Sequence, residues 1–123
     1  MVSAIVGIEG NNVLVIEPRG RLSKFLTLAK RVKVPLACIK DVSTKRAEIR
    51  GIRIAGTALP PHYAGRFYDF RTGKKIFYAL SDRYKCVTFS LEGAEYDEIV
   101  VQVNDDDKER VAEMVKKELA GRK

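Results

Sequence analysis

Residues 63 to 80 carry the pattern that decides the fold. They read Tyr-Ala-Gly-Arg-Phe-Tyr-Asp-Phe over 63–70, Arg-Thr-Gly-Lys over 71–74 and Lys-Ile-Phe-Tyr-Ala-Leu over 75–80. The two outer runs are rich in aromatic and aliphatic residues, and the segment between them is short and polar, which is typical of two strands joined by a turn. We therefore predict a β-hairpin here, with Gly65 as the site of a bulge.

The first strand of this hairpin alternates in character. Phe67 and Asp69 fall on one face, and Arg66, Tyr68 and Phe70 fall on the other. Aromatic residues interleaved with cations are typical of proteins that bind single-stranded nucleic acids. Packing in a core or at the edge of a barrel produces the same pattern, and we favour that interpretation.

Similar strand patterns extend in both directions from the hairpin. Downstream, residues 86–90 and 98–103 are apolar runs, and His62 falls in a turn-like stretch before the hairpin. Upstream, we predict a first hairpin and three further strands: 4–8 with 13–16, then 32–36, 39–49 and 52–54, the last closed by Gly56. Turn signals separate these runs about every ten residues, as in small β barrels and sandwiches.

Two segments have helical periodicity. Val111, Met114, Val115 and Leu119 form one apolar stripe that predicts a C-terminal helix ending at Gly121. Aspartates at 105–107 would cap its start, with Asp106 and Glu109 at capping-box spacing. A second stripe, Leu22, Phe25, Leu26 and Ala29, predicts a short helix near residues 22–30. The sequence thus predicts a mainly β fold with one or two helices.

The bulk composition predicts one domain spanning residues 1–123. There is no apolar run of roughly 20 residues, and the N-terminus does not resemble a signal peptide, so we expect a cytoplasmic protein. We expect Cys38 and Cys86, which lie in apolar runs, to be buried reduced thiols. Few amide side chains and many Lys, Arg and Glu residues hint at a thermophile.

The net charge of +7 is unevenly distributed along the chain. Residues 19–53 contain eleven basic residues and two acidic ones, whereas the residues from Ala94 onward are acidic on balance. This asymmetry would suit an anionic partner or attraction between copies of the chain; an ordinary solvated surface is the alternative. The candidate basic patch comprises Arg19, Arg21, Lys24, Lys30, Arg31, Lys33, Lys45 and Arg46.

Motifs for catalysis or for binding a metal or cofactor are absent from the sequence. His62 is the single histidine, and no cysteines or histidines have metal-ligand spacing. The glycine-rich phosphate loops and the nucleophile elbow of hydrolases are missing. A pairing of either cysteine with His62 as nucleophile and base has no local support. We predict a protein that is not an enzyme and that uses no cofactor and no metal.

The stretch Gly51-Ile52-Arg53-Ile54-Ala55-Gly56-Thr57, together with Tyr63-Ala64-Gly65-Arg66-Phe67, resembles prokaryotic PH-like domains of uncharacterised function. The motif positions are Gly56, Tyr63, Gly65, Arg66 and Phe67. The order of the later elements extends the resemblance over roughly residues 13 to 119. It implies two near-orthogonal antiparallel sheets that form a PH-like barrel, with a C-terminal helix at one open end. It implies no enzymatic activity and no ligand site that can be assigned residue by residue.

Three hypotheses for function follow. The first is a non-enzymatic PH-like module that binds a partner or assembles with itself through exposed edge strands, which makes a homo-oligomer an expected form. The second is a basic-patch protein that binds nucleic acid or acidic lipid headgroups. The third is a small enzyme, which would need ionisable groups gathered in one cleft.

Overall fold

The structure is a computed structural model that describes residues 3–10, 12–19, 32–103 and 108–121. Its strands form two sheets, one of three strands and one of six. The three-stranded sheet has the order β1-β2-β3, with β1 at Ser3–Glu9, β2 at Val13–Arg19 and β3 at Val32–Pro35. Both of its ladders are antiparallel, so the predicted first hairpin and the strand that ends at Pro35 are confirmed.

The six-stranded sheet has the order β4-β8-β9-β7-β6-β5. Its strands are β4 Ile39–Ser43, β5 Ile52–Leu59, β6 His62–Asp69, β7 Lys74–Leu80, β8 Cys86–Leu91 and β9 Glu98–Gln102. The β6–β7 hairpin confirms the prediction for residues 63–80, and its first strand includes His62, which we had expected in a turn. The β7–β9 ladder is parallel, whereas the family resemblance implied antiparallel sheets.

Both faces of the six-stranded sheet are buried in its middle. One face packs against the three-stranded sheet and the C-terminal helix, and its side chains include Phe77, Phe89 and Ile99. The opposite face carries a second cluster that includes Phe67 and Tyr78. Since burial of apolar side chains is the main favourable term in folding, these two clusters hold the domain together.

Residues 44–50 cover the second face. We expected a strand from 39 to 49, but β4 ends at Ser43 and the chain then crosses the sheet without regular structure. Ala47 is buried in the second cluster and its N–H donates to the carbonyl of Arg83 at 2.9 Å. The hydroxyl of Tyr78 donates to the carbonyl of Glu48 at 3.0 Å. These bonds replace the ladder that a longer strand would have made.

The β5–β6 hairpin differs from expectation in two details. Strand β5 does not end at Gly56 but runs on to Leu59, because Gly56 pairs directly with Gly65 across the hairpin. The register shift lies on β5 between Arg53 and Ala55, so the bulge is there and not at Gly65. Both glycines have positive φ, which lets the two backbones approach where other residues would be strained.

The C-terminal helix α1, Lys108–Ala120, is confirmed. Ala112 and Val115 are buried in the core between the sheets. The helix ends at Gly121, whose N–H donates to the carbonyl of Lys117. The predicted helix near 22–30 and the predicted cap at 104–107 lie outside the described residues. In the part of the chain that is described, no helix has the length and apolar character that a membrane crossing requires.

Candidate functional site

A pocket of about 330 Å³ opens at the β5 end of the six-stranded sheet. Its lining comes from three neighbouring strands and from the segment before β9: Ile54, Arg66, Phe67, Tyr68, Lys75, Glu95 and Tyr96. The ring of Tyr96 packs against that of Phe77 at 5.5 Å, which joins the pocket wall to the main core. The volume is at the lower end of the range for ligand pockets.

Strand β5 is the last strand of its sheet, and its outer edge has no pairing partner among the described residues. The bulge between Arg53 and Ala55 lets Ile54 line the pocket, which is a common use of bulges near binding sites. Ile52 and Ile54 are 52% and 60% exposed. We call this strand and the pocket beside it the β5 site.

An exposed aromatic residue extends the apolar surface of the β5 site. Phe70 is 71% exposed, and its ring lies 4.8 Å from that of Tyr68, a pocket residue. A second pocket of about 440 Å³ joins Phe70 to Ile52 and Arg50. Solvent-exposed apolar side chains grouped in this way mark binding surfaces more often than scattered ones do.

Cations surround the β5 site. Arg53, Arg66, Arg71 and Lys75 are exposed around it, while Glu95 is the exposed acid of the pocket lining. The carboxylate of Asp69 lies nearby but is engaged in the turn after β6, where it accepts from the N–H of Arg71 at 3.0 Å. The exposed carboxylate of Asp97 accepts from the N–H of Lys75 at 2.9 Å, so four cations stand against two exposed acids and the rim is positive on balance.

An ion-pair network ties the start of β5 to the sheet. Arg50 donates to the carboxylate of Glu98, and Lys74 lies 3.3 Å from the same carboxylate. The backbone N–H of Arg50 donates to the hydroxyl of Tyr78 at 3.0 Å. Burial raises the pKa of Tyr78, and the contacts with Arg50 lower it by less. This network orders the chain that enters β5 and so fixes the position of the site.

A second feature is a basic corner at the other end of the sheet, formed by Lys45, Arg46, Arg83, Tyr84, Lys85 and Lys108. The chain brings together the segment after β4, the short 3₁₀ helix Arg83–Lys85 and the start of α1. Lys108 Nζ donates to the carbonyls of Thr44 at 3.2 Å and Tyr84 at 2.8 Å.

A groove of about 650 Å³ runs between α1 and β4. It is lined by Leu36, Ile39 and Leu119, with Lys40 and Lys116 at its sides. It follows the seam where the helix packs on the sheet, and packing is enough to explain it.

The predicted basic patch falls in several places. Arg21, Lys24, Lys30 and Arg31 lie outside the described residues, and Arg19 ends β2. Lys33 is exposed on β3, in the three-stranded sheet. Lys45 and Arg46 are exposed and belong to the basic corner.

The motif positions of the family resemblance build the β5–β6 hairpin. Gly56 and Gly65 face each other, and Tyr63 and Phe67 are buried with their rings edge-on at 6.4 Å. Arg66 is exposed and lines the pocket. The resemblance therefore marked the strand that carries the β5 site, although it gave no function to these residues.

The comparison with protein families agrees with this architecture. A family model described as a bacterial PH domain matches residues 21–97, which include β3 to β8. The chain belongs to the bacterial PH domain family. No curated protein and no solved structure matches it. Because PH domains serve in general as binding modules, the family supports a binding function for this bacterial PH domain without naming a ligand.

His62 and the two cysteines have separate surroundings in the described part of this bacterial PH domain. His62 Nδ1 lies 2.7 Å from the hydroxyl of Ser81. No group of three or more His, Cys, Asp or Glu side chains there could hold a metal ion. Cys38 and Cys86 are free thiols, half-buried and buried respectively.

Sequence reasoning missed most of both surfaces. Ile54 and Tyr96 are far apart in the chain, and only the order of strands brings them to one pocket. Arg83, Lys85 and Lys108 were not in the predicted patch because they are scattered in the sequence. The sequence did offer one signal for the β5 site: Ile52 and Ile54 lie in the strand that carries the family resemblance.

Proposed function

We propose that this bacterial PH domain is a non-enzymatic binding module whose β5 site receives an extended peptide segment. The preferred segment carries an apolar side chain flanked by acidic residues. The observation that supports this proposal is the pocket beside Ile54, which opens next to a sheet edge without a partner among the described residues.

The edge and the pocket would contribute in different ways. The free N–H and C=O groups of an edge strand can pair with an extended chain, and pockets beside the edge then select its side chains. The bulge at Ile54 interrupts the edge, so continuous pairing would be restricted to short runs of β5. We therefore expect the side chain in the pocket to supply much of the affinity.

The charge around the site favours an acidic partner. Arg53, Arg66, Arg71 and Lys75 outnumber two exposed acids, Glu95 and Asp97. Complementary charge raises the association rate and discourages wrong partners. Two copies of this chain that met through β5 with two-fold symmetry would bring these cations together. This argues for a different partner over self-assembly at this edge.

The proposal can be tested with fluorescein-labelled octapeptides that contain one Phe or Leu flanked by Glu. Matched peptides carry Lys in place of Glu. Fluorescence anisotropy should show saturable binding of the acidic peptides only. The substitution Ile54→Glu should weaken binding by about tenfold or more, because it places a charge in the pocket. Ile5→Glu is the control, since Ile5 is 52% exposed on an edge strand of the other sheet.

Three results would contradict the proposal: no binding by any acidic peptide, equal binding of the Lys peptides, or equal weakening by Ile5→Glu. Sedimentation of the same proteins tests the rival occupant. If a dimer forms as the concentration rises, and Ile54→Glu abolishes it, then the occupant of the β5 site is a second copy of the chain and not a peptide.

A further inference from the structure

We propose that the basic corner binds single-stranded nucleic acid, with its cations on the phosphates and the ring of Tyr84 stacked on a base. This inference is independent of the β5 site. The two surfaces are formed by different residues, and neither depends on the other for its geometry.

Three separate segments converge at the basic corner. The N–H of Ala47 donates to the carbonyl of Arg83, which joins the segment after β4 to the 3₁₀ helix. Lys108 Nζ donates to the carbonyls of Thr44 and Tyr84, which joins the start of α1 to the segment after β4 and to the 3₁₀ helix. The bond from Lys108 to Thr44 spans 64 positions of the sequence and places Lys108 beside the segment that carries Lys45 and Arg46.

The frame beneath these side chains is tightly hydrogen-bonded. The carboxylate of Asp82 accepts from the N–H of Tyr84 at 2.9 Å. Oε1 of Gln102, which is fully buried, accepts from the N–H groups of Ser81 and Asp82, both at 2.7 Å. The N–H of Val103 donates to the carbonyl of Lys85 at 3.0 Å. A preorganised frame lowers the ordering cost of binding.

Tyr84 offers a stacking surface. Its side chain is 65% exposed, and the guanidinium of Arg46 lies over the ring, 5.5 Å from its centroid. An aromatic ring next to cations is the combination that single-strand binders use, because every base has a flat face and every linkage a phosphate. Stacking by Tyr84 would be tolerant of sequence.

The charge of the basic corner is positive. Lys45, Arg46, Arg83, Lys85 and Lys108 outnumber three acids, Glu48, Asp82 and Glu109. The carboxylate of Asp82 accepts from the N–H of Tyr84, and the guanidinium of Arg83 lies 5.9 Å from the ring centroid of Tyr63. Within the described residues, no ion pair neutralises any of these five cations. The aspartates at 105–107, which precede Lys108 in the sequence, lie outside the described residues.

The composition of the corner favours nucleic acid over a membrane. Membrane-surface binding needs several apolar side chains that enter the interface beside the cations. Tyr84 is the large exposed apolar side chain of this corner, and the exposed isoleucines of the described chain lie elsewhere. A single ring surrounded by cations suits one base and its phosphates.

The test is a titration of the full chain into a fluorescein-labelled 12-nucleotide oligo-dT at about 50 and about 200 mM salt. With three to five phosphate contacts, affinity should fall about 20- to 130-fold over this range. Lys45→Glu with Arg46→Glu should abolish binding at the higher salt. The control, Lys116→Glu with Lys117→Glu on α1, changes the net charge equally and should weaken binding far less.

Substitutions of Tyr84 distinguish the contribution of stacking to binding from the contribution of charge. Tyr84→Ala should weaken binding by about tenfold or more, whereas Tyr84→Phe should retain it. Equal loss in the Lys45/Arg46 and Lys116/Lys117 variants, or no effect of Tyr84→Ala, would overturn the proposal. So would absence of binding to the oligonucleotide, or tighter binding to phosphatidylserine vesicles than to oligo-dT.

Discussion

The two cysteines have different surroundings. Burial is the main cause that raises the pKa of the Cys86 thiol to about 12; the charge of Asp82 also raises this pKa, and the charge of Lys108 lowers it by less. Its Sγ donates to the carbonyl of Asp82 at 3.3 Å. Cys38 is only half-buried. The buried thiols expected from the sequence are thus confirmed fully for one of the two residues.

This contrast predicts the reactivity of each thiol at pH 8 toward Ellman's reagent. Cys38 should react in the native protein, and Cys86 should react only after denaturant is added, because the reagent requires an accessible thiolate. The released chromophore gives the count, and Cys38→Ser should remove the fast phase. Two thiols that react at the same rate in the native protein would contradict the described burial.

Steric clashes explain why glycine occupies positions 51 and 65 in the stretch that carries the family resemblance. A Cβ on Gly65 would lie 2.1 Å from the carbonyl oxygen of Ala55, and one on Gly51 would lie 2.3 Å from that of Tyr68. Both positions also have positive φ. The sequence indicated tight bends or bulges around Gly56 and Gly65, but it could not show which strand carries the extra residue.

At the scale of elements, the turn between β6 and β7 depends on Asp69. Its carboxylate accepts from the N–H of Arg71 and from the hydroxyl of Thr72, and its carbonyl accepts from Gly73. Burial raises the pKa of Asp69, but these hydrogen bonds and the charges of Arg50 and Arg71 lower it more. The net pKa is below the ordinary value of 3.8.

The lowered pKa predicts a pH-dependent contribution to stability. A depressed carboxyl pKa stabilises the fold above the unfolded pKa, about 3.9, and this contribution is lost as pH falls through the folded value. Asp69→Asn should therefore lower the Tm at pH 7 and differ less from the wild type at pH 3. Thermal unfolding checks this, with exposed Asp41→Asn as control. An unchanged Tm difference at the two pH values would contradict it.

Some elements could be predicted and others could not. The β6–β7 hairpin follows from two apolar runs around a short polar turn, and α1 follows from one apolar stripe that ends at Gly121. Residues 39–49 were predicted as one strand from the alternation of Val42, Thr44 and Arg46, yet β4 ends at Ser43. Ala47 and Ile49 cover a second face of the sheet from outside it. The parallel β7–β9 pair depends on strand order, which local patterns do not contain.

At the scale of the whole molecule, the six-stranded sheet extends beyond the elements that pack on its two faces. Its central strands are buried on both faces, whereas Ile52, Arg53 and Ile54 are exposed at the free end. The β5 site is a part of the sheet whose apolar side chains the rest of the described chain leaves exposed. The sequence predicted edge-strand binding in general, but the particular edge follows from the topology.

The position of the basic corner also could not be predicted from the distribution of charge along the sequence. The predicted patch was a count along residues 19–53, and Lys45 and Arg46 are the members that the described structure places with other cations. Their companions at 83, 85 and 108 come from elements that follow β7 and β9. A patch assembled from distant segments cannot be found by counting charges along the chain.

The central claim, that the β5 site binds an extended acidic segment, is tested most directly by amide hydrogen exchange with and without the acidic octapeptide. We predict slower exchange along β5, Ile52–Leu59, and in the segment around Tyr96, with β1 unchanged. Protection of β1 or α1 in place of β5, or binding without any change in β5, would contradict the account.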